Sequence, residues 1–369
     1  MPETAHVAVL VEPRRFESRE YPVPEIGADD GILRIEAAGI CGTDYEQFNG
    51  HLVGTPWDIR PIIPGHEIIG RIDRVGRDAA ARWRVKEGDR VVVEASIPCG
   101  QCFQCQVGRA VLCQANMGYG LRISCDRPPH LWGAYATHMY LHPRATVHKV
   151  PDDLSTAVLS LFNPMSNAVR WGLERGGIGV NDSVVIEGPG QRGLLAVVAA
   201  KVVGAGQVIV TGTKADAHRL ALARTLGADA TIDVDAEDPV ERVKALTGGR
   251  DADVVLDVSA GSTKPVVQGM EMVRPGGTVV IAGLKNRKPV EGFISDLMIT
   301  KEINMVGALS SSWTSVETAV GIIRQRAAEL AQLCTHAYPV EKAETAVRVL
   351  GREIVDGQEA VHIHIEANA

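Results

Sequence analysis

Four cysteines crowd the stretch Pro98–Cys113: Cys99, Cys102, Cys105 and Cys113, spaced C-x2-C-x2-C-x7-C. Four thiolates this close in sequence can enclose one tetrahedral ion, and an all-cysteine shell with no open position is the pattern of structural zinc. Disulfide pairing is the competing reading. Adjacent C-x2-C pairs favour metal in a chain expected to carry no secretory leader, and MPETAHVAVLVEPRRF reaches charged residues too soon for a leader's apolar core. A second set lies upstream, with Cys41 in Gly39-Ile40-Cys41-Gly42-Thr43-Asp44 and then His66 and Glu67 after Gly65. Cys41 offers a soft thiolate, His66 an imidazole and Glu67 a carboxylate. Three protein ligands and an open fourth position hold zinc where it does chemistry. Taken alone, a buried cysteine and a core histidine would explain this set as well. Its company changes that reading.

The company is a glycine turn, Gly188-Pro189-Gly190-Gln191-Arg192-Gly193, set between an apolar strand (Ser183–Glu187) and an apolar helical run (Leu194–Val203). In that context G-x-G-x2-G marks a dinucleotide site. Its glycines allow a tight turn and close backbone approach, and a pyrophosphate then lies at the helix N-terminus, where free N–H groups favour anions. Gly188, Gly190, Gln191 and Gly193 are therefore candidate cofactor contacts. The end of the next expected strand, Gln207–Thr211, selects the dinucleotide. A carboxylate there would bind a ribose 2′-hydroxyl and repel a 2′-phosphate. Gly212 stands there instead, followed by Thr213 and Lys214, with His218 and Arg219 one turn on. This favours NADP, or use of both cofactors, over strict NAD. Asp216 is read as the cap of the following helix.

The elements that must position these residues read as two domains, since 369 residues exceed one ordinary core. The first third has short β-branched runs, Val7–Leu10, Ile32–Ala37, Ile68–Val75 and Arg90–Val93, parted by Gly, Pro and Asp, as in a broken, barrel-like β domain. After about Pro164, strands at Ala230–Asp233, Asp253–Val258, Thr278–Ala282 and Ile303–Val306 alternate with helices, the pattern of a doubly wound parallel sheet. Helices over Val316–Leu333 and Ala343–Leu350 and a strand near Ala360–Ile365 are expected to rejoin the first domain. Hydrophobic residues at 45% and charged residues at 22% exclude a disordered chain. A net charge of -7 disfavours a general nucleic-acid binder. A zinc module for nucleic acid is a remote alternative, because within the cysteine loop only Arg109 is basic. No run offers the roughly 18 apolar residues of a membrane span, so no membrane partner and a cytoplasmic location are expected.

Together the motifs G-x-C-G-T-D (Gly39–Asp44), P-G-H-E (Pro64–Glu67), P-C-G-x-C-x2-C-x2-G-x4-C (Pro98–Cys113) and G-x-G-x2-G (Gly188–Gly193) resemble the zinc-dependent medium-chain alcohol dehydrogenases over nearly the whole chain. The resemblance implies an α/β protein: a GroES-like catalytic domain at 1–163 and 309–369, and a Rossmann domain at 164–308. It also implies two zinc ions per subunit and a homodimer or homotetramer. Cys41 and His66 match catalytic zinc ligands, and Glu67 a carboxylate that binds the metal or stands behind it. Thr43 matches the hydroxyl that takes the substrate proton. Two positions depart from the family. Asn163 stands where a Cys, Glu or Asp is common, and is expected to hydrogen-bond near the metal. Glu46 replaces the histidine that ends the proton relay, and could serve as a carboxylate relay. The implied activity is reversible oxidation of an alcohol, secondary, cyclic or polyol, to a ketone or aldehyde with hydride transfer to NAD(P). A zinc-independent quinone or enoyl reductase is the alternative. Phe48, His51, Leu52, Trp57 and Trp132 are candidate pocket residues, and Cys125 and Cys334 are expected to be free thiols.

Overall fold

A computed structural model describes residues 3–367; Met1, Pro2, Asn368 and Ala369, which fall within the ranges expected for the catalytic domain, lie outside the described residues. The chain divides into two compact units, Met1–Asn163 with Arg326–Ala369, and Pro164–Gln325. It starts with an antiparallel hairpin, β1 (Thr4–Glu12) and β2 (Arg15–Pro22). Next come β3 (Gly31–Gly39), the short helix α1 (Gly42–Phe48), β4 (Glu67–Val75) and β5 (Arg90–Val93). Two two-residue strands, β6 (Ser96–Ile97) and β7 (Met117–Gly118), pair at the base of the cysteine loop. Then follow β8 (His138–Leu141) and β9 (Val147–Lys149).

The second unit is a six-stranded, all-parallel sheet of β10 (Ser183–Glu187), β11 (Gln207–Gly212), β12 (Ala230–Asp233), β13 (Ala252–Asp257), β14 (Val273–Ile281) and β15 (Asn304–Gly307), in the order β12-β11-β10-β13-β14-β15. Strand β10 is buried at every residue, as a central parallel strand covered on both faces must be, so its sequence reads as an unbroken apolar run rather than an alternation. Helices α2 (Gln191–Val203) and α3 (Ala217–Thr225) follow the first two strands. The core gathers Val185, Ile209, Ile232, Val255, Met270 and Val279.

The return to the first unit comes at Arg326, where a helix running Trp313–Leu330 leaves helical geometry (φ −116°, ψ 19°). Residue 309 is the return point expected from sequence. The intervening segment is tied to the second unit: Trp171 Nε1 donates to the Ser310 carbonyl at 3.0 Å, and Ser312 and Thr314 hydroxyls donate to Glu174. Beyond the kink, β16 (Cys334–Pro339) and β17 (His362–Glu366) complete a seven-stranded sheet, β16-β17-β3-β4-β5-β9, with β8 on β3. Its core includes Val9, Ile32, Ile68, Val91, Tyr135 and Ile363. Among the described residues no helix is long and apolar enough to cross a membrane.

Candidate metal centres and nucleotide site

Cys41 ends the β3 connection and caps α1. Its Sγ accepts the Thr43 N–H at 3.2 Å, and its own N–H donates to Asp44 Oδ2 at 2.8 Å. This reciprocal cap fixes the cysteine and the carboxylate three residues on in one geometry. The other Asp44 oxygen faces His66 Nδ1 at 3.3 Å. Cys41, Asp44 and His66, all buried, bring their ligand atoms within 4.8 Å of one another. Burial opposes a charge on His66, but Asp44 and Cys41 outweigh it and hold the imidazole well above its usual value. A cation could replace that proton, and the soft, buried thiolate–imidazole pair suits zinc. One Asp44 oxygen accepts the Cys41 amide and the other faces His66 Nδ1 without closing a hydrogen bond, an arrangement in which Asp44 could stand behind the ligands of a metal.

Glu67 is fully buried, and a Cβ at Gly39 would collide with its carboxylate; it stands outside the 4.8 Å group. Thr43 is half-buried in the first turn of α1. Glu46 faces outward and pairs with His51 Nδ1 at 2.7 Å. Asn163 is buried at the start of the helix Phe162–Ala168. Of the pocket aromatics, Phe48 stacks on Phe16 in the core, and Trp132 is buried with its Nε1 on the Arg127 carbonyl. Two neighbours escaped the sequence reading. Asp44 carries a signal, the capping-box spacing from Cys41. Tyr135 carries none: buried, close to Gly65, it has its phenol held neutral by burial and by Asp44, Cys41 and Glu67.

The second cluster is Cys99, Cys102, Cys105 and Cys113, all unpaired as thiols. Their sulfurs stand 3.6 Å (Cys102–Cys105) and 4.0 Å (Cys99–Cys105, Cys102–Cys113) apart. A tetrahedron with Zn–S of about 2.3 Å has an edge of about 3.8 Å, so the spacing fits the ion and not a disulfide. Backbone N–H groups of Gln114 and Cys105 lower the Cys102 thiol to about 6, and those of Gln101 and Cys102 lower Cys99. Burial pushes Cys105 up to about 12. Loop amides therefore already favour two thiolates. Cys125 and Cys334 remain free thiols outside both clusters.

In the second unit the glycine turn lies between β10 and α2. Gly188 has φ +104°, where a side chain would be strained, and a Cβ at Gly193 would collide with the Gly188 carbonyl. Gly190 caps α2 with open space around it, and Gln191 begins the helix. Gly212 ends β11, and a Cβ there would lie 2.8 Å from Pro189 Cγ. A carboxylate at that position would thus require the fingerprint's own proline to shift. Thr213 donates its hydroxyl to Asp216 at 2.7 Å in a capping box on the 3-10 turn Lys214–Asp216, so Asp216 does not cap α3 with its side chain as expected but serves the turn before it. The Lys214 amide donates to Asp235, leaving its exposed side chain near the strand end, and half-buried Arg219 lies on α3.

Behind the turn sits a charge cluster the sequence did not announce. Glu187 pairs in register with Asp257, and Lys285 Nζ bridges Asp257 Oδ2 at 2.7 Å and the Ser259 hydroxyl at 2.9 Å. Burial, with Asp257 adding and Lys285 opposing, holds the Glu187 carboxyl well above its usual range. The folded chain keeps Glu187 protonated while the unfolded chain ionises it, so its contribution to stability is full below the ordinary glutamate value and falls as pH rises toward the folded one. Glu187→Gln, neutral throughout, is expected to gain Tm relative to the natural chain between pH 5 and pH 8, by about 3 °C or more. A Tm difference flat across that range in calorimetry refutes the assignment.

Comparison with known proteins supplies the family. The alcohol dehydrogenase GroES-like domain matches residues 27–152, and the zinc-binding dehydrogenase domain matches 193–325. A protein named "Probable alcohol dehydrogenase adh" from Mycobacterium tuberculosis is 41% identical over 96% of both chains. An alcohol dehydrogenase of Thermotoga maritima has a TM-score of 0.88 at 28% identity, covering 99% of each chain. A zinc-binding dehydrogenase of Sinorhizobium meliloti, solved bound to NADP, has a TM-score of 0.85 at 25% identity, covering 99% of this chain and all of its own. The comparisons lend no support to a zinc-independent reductase. With a GroES-like unit carrying both cysteine-bearing clusters and a Rossmann unit carrying the glycine turn, the chain belongs to the zinc-dependent medium-chain alcohol dehydrogenases, oxidoreductases that act on CH–OH groups.

Proposed function

We propose that this chain reversibly oxidises a secondary alcohol or polyol to a ketone or aldehyde, uses NADP in preference to NAD, and carries two zinc ions per subunit. The observation that carries the reading is the buried convergence of Cys41, Asp44 and His66. Bound zinc would supply Lewis acidity toward the alcohol oxygen, and the dinucleotide the hydride acceptor. Cys41 and His66 would hold the metal, with Glu67 as the third ligand that the family resemblance implies. Asp44 fixes the imidazole tautomer. Thr43 takes the substrate hydroxyl proton, and Glu46, paired with His51 at the surface, passes it to solvent. Asn163 orients the substrate or its water by hydrogen bonding. Gly188, Gly190, Gln191 and Gly193 receive the pyrophosphate, while Gly212, Thr213, Lys214 and Arg219 surround the adenosine ribose. By family resemblance the enzyme is a cytoplasmic homodimer or homotetramer.

The test is a panel of alcohols with NAD and NADP in parallel, alongside metal analysis. Turnover with about two zinc per chain supports the reading; turnover with none overturns its metal part. Gly212→Asp is a poor probe of cofactor choice, because it would press on Pro189. Lys214→Ala with Arg219→Ala is expected to cut the NADP/NAD ratio of kcat/KM about tenfold or more, the loss of charge-assisted contacts to a 2′-phosphate. An unchanged ratio removes these residues from the site.

A further inference from the structure

Arg122 is a partly buried cation for which the alcohol chemistry above has no use. Its guanidinium stacks over the Trp57 ring, 5.1 Å from the centroid. Burial lowers its pKa, with no neighbouring carboxylate to offset the loss of water. Among the described residues the guanidinium has no hydrogen-bond or ion-pair partner, and its Nε is buried. Arg90 in the same unit shows the usual solution: it donates to Glu36 at 2.7 Å, to the Leu154 carbonyl and to Thr156. A desolvated cation without an anion is costly, and one aromatic face recovers only part of that cost.

Both members of the stack ride on segments anchored beside His66. Gly120, two residues before Arg122, packs against Gly65 so closely that a Cβ there would collide with the Gly65 carbonyl. Trp57 lies on the loop that leaves α1, the helix capped by Cys41, and returns through Pro64 and Gly65. With Leu52, Val53, Asp58, Ile59 and Arg60 it borders a small surface concavity, and Arg122 stands outside that lining. A guanidinium over an indole, with no hydrogen-bond partner of its own, keeps its fork of N–H donors available for two oxygens of a carboxylate or phosphate.

We propose that Arg122, aligned by Trp57, receives an anionic group of the alcohol substrate, so that the preferred alcohol is a hydroxy acid or a phosphorylated polyol. The inference rests on the proposed alcohol oxidation and narrows its substrate. Three alcohols test it with the zinc-loaded enzyme: 2-butanol as the neutral reference, 3-hydroxybutanoate for a carboxylate and glycerol 3-phosphate for a phosphate. One anionic alcohol is expected to exceed 2-butanol in kcat/KM by about 10- to 100-fold, and which one identifies the group. Arg122→Met should collapse that ratio toward unity, and Arg122→Lys, which keeps charge but loses the fork, should leave part of it. Equal kcat/KM for all three alcohols in the natural enzyme, or a preference that survives Arg122→Met, overturns the proposal. Calorimetric titration with inorganic phosphate and with butanoate separates this proposal from the parent reading. Binding of either that Arg122→Met weakens at least tenfold supports the anion site even if no alcohol is oxidised. Absence of binding, or binding unaffected by Arg122→Met, counts against it even if neutral alcohols turn over.

Discussion

Replacing Cys41 with alanine is expected to lower kcat/KM for any alcohol at least thousandfold, to reduce bound zinc from about two to about one per chain, and to leave dinucleotide binding intact. The magnitude follows from the number of jobs Cys41 does. It is the thiolate of a small, buried donor set, and it also accepts the Thr43 N–H, so alanine removes a ligand and a helix cap together. Cys41→Ser separates the two, since a hydroxyl can cap α1 but binds zinc far less well than a thiolate. Both variants should therefore lose turnover, with only the alanine losing the cap. Asp44→Asn is expected to be milder, about 10- to 100-fold, because it disturbs His66 and the Cys41 amide without removing a ligand. NADPH fluorescence titration supplies the control, because the glycine turn lies in the other compact unit. Undiminished turnover by Cys41→Ala, with zinc still at two, would sink the metal mechanism.

Much of this arrangement was legible because the residues that carry it are local in sequence. Strands β5, β10 and β12 run where their apolar, β-branched stretches put them, whereas Asp216, expected to cap the following helix, answers Thr213 on the short turn before it. What stayed hidden depends on contacts between distant segments. Phe48 and Trp132 read as pocket residues because bulk alone does not separate a lining from a core, and both are buried in packed clusters. Gly212 read as a missing carboxylate, and nothing in its own segment showed that a side chain there would also press on the ring of Pro189 from the preceding turn. The Glu187–Asp257–Lys285 cluster joins two strand ends and the loop after β14, and Arg122 meets Trp57 across 65 positions; neither pattern has a period or a motif. The return to the first unit slipped past residue 309 because hydrogen bonds to Glu174 and Trp171, not composition, set where the helix belongs.

Loss of the metal from the four-cysteine loop is the other large effect expected. Cys102→Ser should remove one of about two zinc ions and raise proteolytic cleavage within residues 96–118 at least tenfold, while the sheet of the first unit stays folded. The loop has little else to order it. Its helix Phe103–Gln106 is one turn, the 3-10 turn Ala110–Leu112 is shorter, and the strands at its base are two residues each. Phe103, Val107 and Leu112 point outward, 65%, 47% and 46% exposed, so no apolar cluster forms around the sulfurs. Elements this short do not persist in water on their own propensity, and zinc in comparable small modules contributes about 10–16 kcal/mol of apparent binding energy to folding. Little of that need appear as a global change in Tm, since the loop can open without the rest. Hydrogen exchange localised to the loop is therefore the sharper measurement. Chelation should reproduce the variant's exchange pattern, with all four thiols then open to a thiol-specific reagent. Protection that survives both chelation and Cys102→Ser would mean that the polypeptide orders the loop unaided, and the fit of its sulfurs to a tetrahedron would lose its physical meaning.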